Sequence, residues 1–183
     1  MEAQLPYCWK GAEGIQMSIA AFLDSLMMPV VMGLEGGIGS RVRYAYYRQK
    51  LRSCRGYFTS GSRFRMEGCD KIEIGEHCSF NGGVFIGASS GVRLGDYVMI
   101  GPYCVLRDAN HGYADRSVPM KLQKNVSSPI EVCDDVWIGA HVVILKGVKI
   151  NKGAVVAACS LVNKDIPSYE VWGGVPARFL RLR

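Results

Sequence analysis

Asp108, Asn110 and His111 fall within four consecutive residues, in a stretch where an otherwise regular chain loses its pattern. Long loops on a rigid scaffold carry function out of proportion to their length. Of these three side chains, the imidazole is the one that exchanges a proton near neutral pH. The other histidines, His77 and His141, lie 34 residues before and 30 after, and both read as surface corner residues. Seven cysteines are scattered without paired spacing and form no zinc-type CxxC motif, so they read as reduced packing thiols and no metal is expected.

The scaffold that must hold this loop is written in a period of six. Val132, Ile138, Ile144, Ile150, Val156 and Val162 are all β-branched. Four places after each comes a second small or aliphatic residue: Val136, Val142, Val148, Ala154, Ser160 and Ile166. The register also runs upstream through Ile74, Phe80 and Ile86, then, after two extra residues, Leu94, Ile100 and Leu106. Their four-on partners are Cys78, Val84, Ser90, Val98, Cys104 and Asn110. Neither a helix nor simple strand alternation has this period, which marks stacked equal units with repeating inward positions. Gly75, Gly87, Gly95, Gly101 and Gly139 follow their anchors, where a sharp corner and close neighbouring backbone favour a residue without Cβ. Three units per turn close a triangular prism, and twelve predict about four coils, roughly 19 Å at about 4.8 Å per layer. The expected fold is all-β: a parallel β-helix over 69–166, preceded by a helical and basic segment (1–68) and followed by a C-terminal segment (167–183). The register fails between Leu106 and Val132, which predicts a protruding loop over about 107–129.

From residue 69 onward the chain resembles the hexapeptide-repeat acyltransferases. The most specific stretches are Val136-Trp137-Ile138-Gly139-Ala140-His141, Gly153-Ala154-Val155-Val156-Ala157-Ala158, Lys164-Asp165-Ile166-Pro167 and Gly173-Gly174-Val175-Pro176-Ala177-Arg178. The combination is similar to sugar O-acetyltransferases that act on galactosides, maltose and surface polysaccharides. The resemblance implies a left-handed helix, acetyl-CoA as co-substrate, a sugar or glycan acceptor and a homotrimer with shared active sites. It also implies direct attack of the acceptor hydroxyl without a side-chain nucleophile.

Site residues follow from the same resemblance. His111 corresponds to the family's loop histidine and is the expected general base. Asn81, in Ser79-Phe80-Asn81-Gly82, matches an asparagine near the acceptor; the other reading is a corner asparagine tolerating unusual φ. The Ala140 N–H, in Trp137-Ile138-Gly139-Ala140, matches the oxyanion donor. Ala140, Ala158 and Asn163 match positions lining the cofactor groove, although Asn163 replaces a hydroxyl residue common there. Lys164, Arg178 and Arg181 match contacts to the cofactor; the other reading is a solvated tail. Some left-handed β-helices are similar to γ-class carbonic anhydrases, whose zinc takes three histidines, two of them close in sequence. No such close pair exists here. The other function classes left open are a non-catalytic scaffold and acetylation of an amino sugar, serine or an antibiotic.

The 183 residues suit one domain, 49% apolar content is ordinary for a globular chain, and the net charge of +6 is localised. Residues 36–66 hold Arg41, Arg43, Arg48, Lys50, Arg52, Arg55, Arg63 and Arg65 and no acid, while elsewhere 14 bases face 16 acids. No nucleic-acid motif accompanies the basic run, so nucleic acid is not an expected partner. The apolar stretch over 15–34 carries Asp24 at its centre, which disfavours a membrane-spanning helix. It reads either as a packing helix or, with the basic segment, as a peripheral contact to anionic membrane over 15–66. The beginning of the chain lacks a basic leader before an apolar stretch, so a cytoplasmic location is expected, with the inner membrane face as a variant.

Overall fold

The computed structural model describes residues 19–183, with side chains described from Leu26 onward. Residues 15–18 of the apolar stretch and Cys8 lie outside the described residues. Two helices, α1 (Ile19–Gly33) and α2 (Gly36–Arg48), precede a left-handed parallel β-helix with three faces. Ser53–Cys54, Ile72–Ile74, Val92–Leu94, Ile130–Val132 and Lys149–Ile150 form the first face. Thr59–Ser60, Ser79–Phe80, Met99–Ile100, Trp137–Ile138, Val155–Val156 and Glu170–Gly174 form the second, to which Ala177–Leu182 adds an antiparallel last strand. The third consists of Arg65–Glu67, Phe85–Gly87, Val105–Arg107, Val143–Ile144 and Leu161–Val162.

The period-six anchors are the inward column of each face. All twelve, from Ile74 to Val162, are buried. Each such aliphatic side chain contributes about 1.5–3 kcal/mol on burial. The second inward slot holds Cys78, Val84, Val98, Cys104, Val136, Val142, Val148, Ala154, Ser160 and Ile166, but not Ser90 or Asn110, which are exposed. At those two places extra residues follow the third face, and the slot passes to Val92 and Ile130. The stack also begins earlier than residue 69. Cys54, Ser60 and Met66 continue the period of six and pair in parallel with Ile74, Phe80 and Ile86, giving five coils. None of the three is β-branched, which hid this coil in the hydrophobic pattern.

The corners separate two requirements that the glycine pattern had merged. The left-handed backbone conformation falls three residues after nine of the twelve anchors, at Gly83, Gly147 and Gly153 and at the non-glycine residues His77, Tyr97, Tyr103, Asp135, His141 and Cys159, the last six with φ between 56 and 58°. Each such non-glycine residue costs about 1–3 kcal/mol, which surrounding packing must offset. His77 stacks on Tyr97 with ring centroids 5.0 Å apart, and His141 on Tyr103 at 5.2 Å, so both histidines are corner residues. The glycine directly after the anchor answers close approach alone. A Cβ on Gly101 would stand 2.7 Å from the Ala140 nitrogen, and one on Gly139 would stand 2.6 Å from that of Ala158.

An open prism end would expose the columns, and repeat folds need caps there. Here α2 closes the first coil through Arg43, which is fully buried. Its guanidinium donates to Val31 O (3.1 Å), Leu34 O (2.6 Å), Ser60 Oγ (3.2 Å) and Ser60 O (2.7 Å). Beside it Ser60 N–H donates to Ser40 Oγ (3.0 Å), so the inward serine is satisfied. Tyr47 Oη accepts from Met66 N–H (3.1 Å), and Phe58, Phe64 and Phe80 fill the prism beneath, the last two stacked at 4.9 Å. Arg52, Arg55 and Arg65 pair with Glu73, Asp96 and Glu67. Arg48 lies over the Tyr44 ring and Lys50 donates to Tyr46 Oη (2.9 Å), so six of the eight bases in 36–66 are engaged within the fold, and no helix among the described residues is long and apolar enough to cross a membrane.

The six described cysteines are all free thiols. Burial pushes the Cys78 thiol up to about 11 from its ordinary 9.0, against the opposing effect of a backbone hydrogen bond. A raised folded-state value means that its stabilising contribution is complete below pH 9 and is lost as pH rises towards 11. The melting temperature should therefore fall across that interval, and Cys78→Ala should make the fall shallower, as read by circular dichroism melts. An unchanged slope would assign the alkaline loss to other groups.

Candidate active site

Asp108 ends the third coil and is completely buried. Its carboxylate accepts from the N–H groups of Ser89 (2.7 Å), Ser90 (2.6 Å) and Gly91 (2.7 Å) and from Ser90 Oγ (3.0 Å). These donors lie one coil back, at the corner between third and first faces, so Asp108 is the foundation of the loop and not a free acid. Ala109–Asn110 then pairs antiparallel with Val126–Ser127, lifting the intervening residues off the prism. Ser128 N–H donates to Asp108 O (2.9 Å) where the chain returns.

His111 follows this two-stranded stem directly and is exposed. It lines a cavity of about 570 Å³ with Tyr113, Val118, Gln123, Lys124 and Lys146 among its neighbours. Gln123 braces the loop from inside, donating to Asp115 O and Val118 O, each at 2.7 Å. Gly112 lies so near the returning strand that a Cβ would meet Lys124 O at 2.5 Å, which holds Lys124 beside His111. Lys146 comes from the scaffold, at the third-to-first corner of the fourth coil, where Gly147 N–H donates to Ser128 O (3.0 Å). The sequence reading missed both lysines. Their signal was the register, since Lys146 stands two places after anchor Ile144 at the corner from which the loop departs.

The remaining expected residues divide between two edges of the prism. Asn81, Gly139, Ala140 and Ala158 occupy the corner between second and third faces, with Asn81 two coils, roughly 10 Å, from Gly139. Asn81 is exposed and has no positive φ; its Nδ2 donates to Ile100 O (3.3 Å), which removes the strained-corner reading. Ala140 O accepts from Cys159 N–H (2.8 Å), whereas Ala140 N–H donates to no group among the described residues. Trp137 projects outward from the second face, 52% exposed. Arg178 and Arg181 lie on Ala177–Leu182, paired with Gly173 and Val171, so the segment's backbone is an edge strand, with both arginine side chains exposed. Asn163 and Lys164 are exposed at the other edge, the third-to-first corner that also carries the His111 loop.

Asn81 and His111 therefore line different cavities of one chain. Among the described residues, no group of histidine, cysteine, aspartate and glutamate has the arrangement of a metal site.

The model for the bacterial transferase hexapeptide (six repeats) matches residues 129–164. A putative lipopolysaccharide biosynthesis O-acetyl transferase of Escherichia coli (strain K12) is 32% identical over 133 residues, covering 68% of each chain. The chain belongs to the hexapeptide-repeat acetyltransferase family. Within it, galactoside O-acetyltransferase of the same organism is 38% identical over 128 residues, 68% of this chain and 57% of that one. A solved hexapeptide-repeat acetyltransferase of Vibrio cholerae O1 biovar eltor, complexed with acetyl coenzyme A, has a TM-score of 0.74 at 32% identity and covers 90% of each chain. Of other curated relatives the chain spans about half the length or less.

The geometry makes Asp108 the support on which the loop stands. Asp108→Asn keeps the shape but turns one acceptor into a donor facing N–H groups, a loss of about 1–3 kcal/mol. Hydrogen exchange should quicken over 109–128 while the coil strands stay protected. Equal protection in both proteins would refute the supporting role.

Proposed function

We propose that the protein transfers an acetyl group from acetyl-CoA to a hydroxyl of a sugar or glycan precursor, with His111 as general base. The observation that carries this reading is the His111 cavity, raised on a braced loop beside a coil stack of the acetyltransferase family. The similarity to an acetyl coenzyme A complex across nine-tenths of the chain supports the donor. The galactoside and lipopolysaccharide relatives support a sugar hydroxyl as acceptor.

In this mechanism His111 takes the proton from the acceptor hydroxyl as its oxygen attacks the thioester carbonyl. The Ala140 N–H, without an acceptor among the described residues, is suited to the oxyanion that forms. Collapse of the tetrahedral intermediate breaks the carbon–sulfur bond, and the histidinium returns its proton to the departing thiolate. The acetyl ester and free thiol of coenzyme A are the products, and His111 is regenerated. Gly139, Ala140 and Ala158 have small or no side chains, which leaves room beside this point for a thin pantetheine arm. Trp137 offers a flat apolar wall, Asn163 an amide, and Lys164, Arg178 and Arg181 the positive charge for the cofactor's phosphates.

The two-edge arrangement supports a shared site. With Asn81 and Ala140 on one edge and His111 on the other, a complete site forms when the edge of one chain meets the opposite edge of another. Threefold packing does this three times. The outward residues agree. Glu73 links Arg52 and Arg93 on the first face, where Glu131 also pairs with Lys149, whereas the third face, beyond an Arg65–Glu67–Arg107 cluster at its first coils, presents half-buried Phe85, Val105, Val143 and Leu161. The charged face suits water, and the apolar one suits a neighbouring subunit.

Two outcomes follow. His111→Ala should lower kcat by about 10²–10⁴ while acetyl-CoA affinity, read by calorimetry, is kept; near wild-type thiol release in that variant would sink the mechanism. Sedimentation equilibrium should give three 20.1 kDa chains. His111→Ala and Asn81→Ala chains, each inactive alone, should regain activity when co-expressed, because mixed trimers contain intact composite sites. No recovery, or an active monomer, would exclude sharing.

A further inference from the structure

The outward cations of the first face have acidic partners: Arg52 and Arg93 flank Glu73, and Lys149 faces Glu131. The candidate site differs from this face. Lys124 and Lys146 line the His111 cavity, and neither makes an ion pair among the described residues. One acid, Asp115, lines the same cavity, and its carboxylate is turned back on its own loop. It accepts from Ser117 N–H (2.8 Å) and Ser117 Oγ (2.6 Å), which hold its pKa below the usual carboxylate range.

The other half of the composite site repeats the bias. Asn81 lines a cavity of about 530 Å³ with Ser40, Arg41, Tyr57 and Thr59, and no acid lines it. Arg41 is exposed and enters no ion pair among the described residues. Unmatched cations therefore stand on both sides of the position where an acceptor would bind. A neutral sugar would leave the ammonium groups to water, whereas a carboxylate or phosphate would receive charge-assisted hydrogen bonds, strengthened as the site closes and water leaves.

We propose that the acceptor is an anionic glycan, carrying carboxylate or phosphate groups, and that Lys146 and Lys124 bind that charge beside His111. The proposal rests on acetyl transfer at this site. Lys146 is the more selective of the two, because it is carried by a coil corner tied to the loop's return, whereas Lys124 moves with the loop. Both are specificity-determining residues; His111 takes the acceptor proton.

The test is steady-state transfer from acetyl-CoA to oligosaccharides of matched length: neutral maltooligosaccharides, oligogalacturonates, and maltooligosaccharide phosphates. One or both anionic series should exceed the neutral one in kcat/KM by about tenfold or more, and the excess should shrink as salt is added. Which anionic series leads separates carboxylate from phosphate recognition. Lys146→Gln should raise KM for the preferred anionic acceptor about tenfold, Lys146→Arg should recover most of it, and KM for acetyl-CoA should stay within about twofold. Equal or better use of neutral acceptors would overturn the proposal and leave acetyl transfer standing. So would a Lys146→Gln defect confined to acetyl-CoA, which would assign the lysine to the donor's phosphates. If no acceptor supports thiol release that His111→Ala abolishes, the transferase reading itself fails, and this proposal with it.

Discussion

Gly101 N–H donates to Ile138 O, and Gly139 N–H to Val156 O, each at 2.8 Å, and this ladder from coil to coil sets the geometry around it. Because each layer takes its hydrogen bonds from the next, neighbouring coils lie about 4.8 Å apart along the whole stack. That distance excludes a Cβ after many anchors and brings the inward side chains into vertical columns. It also lets the corners repeat the same unfavourable φ without collapsing. A left-handed corner residue such as His141 is strained alone, yet its N–H donates to Pro102 O and its ring rests on Tyr103. The columns of Ile, Val and Leu offset what the corners cost.

A prism built this way has three faces of identical backbone, so differences in function come from the outward residues and the ends. Ion pairs cover the first face. The third, apart from the Arg65–Glu67–Arg107 cluster at its first coils, presents Phe85, Val105, Val143 and Leu161 and lies between the two edges that hold the candidate site residues. At the upper end Arg43 exchanges water for four acceptors contributed by α1, the following turn and the first coil. Burial lowers its pKa, but removal of any acceptor would leave a charged donor unmatched in the core. A basic side chain that reads as surface charge in the sequence is thus part of the cap.

The loop with His111 is the one long departure from the repeat, and it is not loose. Asp108 closes its base with four accepted hydrogen bonds, the Ala109–Asn110 and Val126–Ser127 pair forms its stem, and Gln123 crosses its interior. A base must be held within hydrogen-bond reach of its substrate, so a catalytic reading needs such bracing. The imidazole is exposed and braced, and Asn81 lines a different cavity on another edge of the prism.

Much of this was legible in one dimension. The period of six from Ile74 to Val162 determined the inward columns, the stacking and the place where the loop had to leave, because a coil can bury its apolar face only against its neighbours. The sequence could not announce the first coil, since Cys54, Ser60 and Met66 do not share the β-branched signature and Ser60 is acceptable inside only because Arg43 and Ser40 reach it. Asp108 was visible beside His111, but its burial under three backbone N–H groups depends on a corner nearly twenty residues away. The convergence of Lys124 and Lys146 on His111 likewise needed the coil to return beneath the loop. Local pattern decides which side chains point inward; which outward ones meet is decided by the spacing and rotation of coils, information that no single repeat contains.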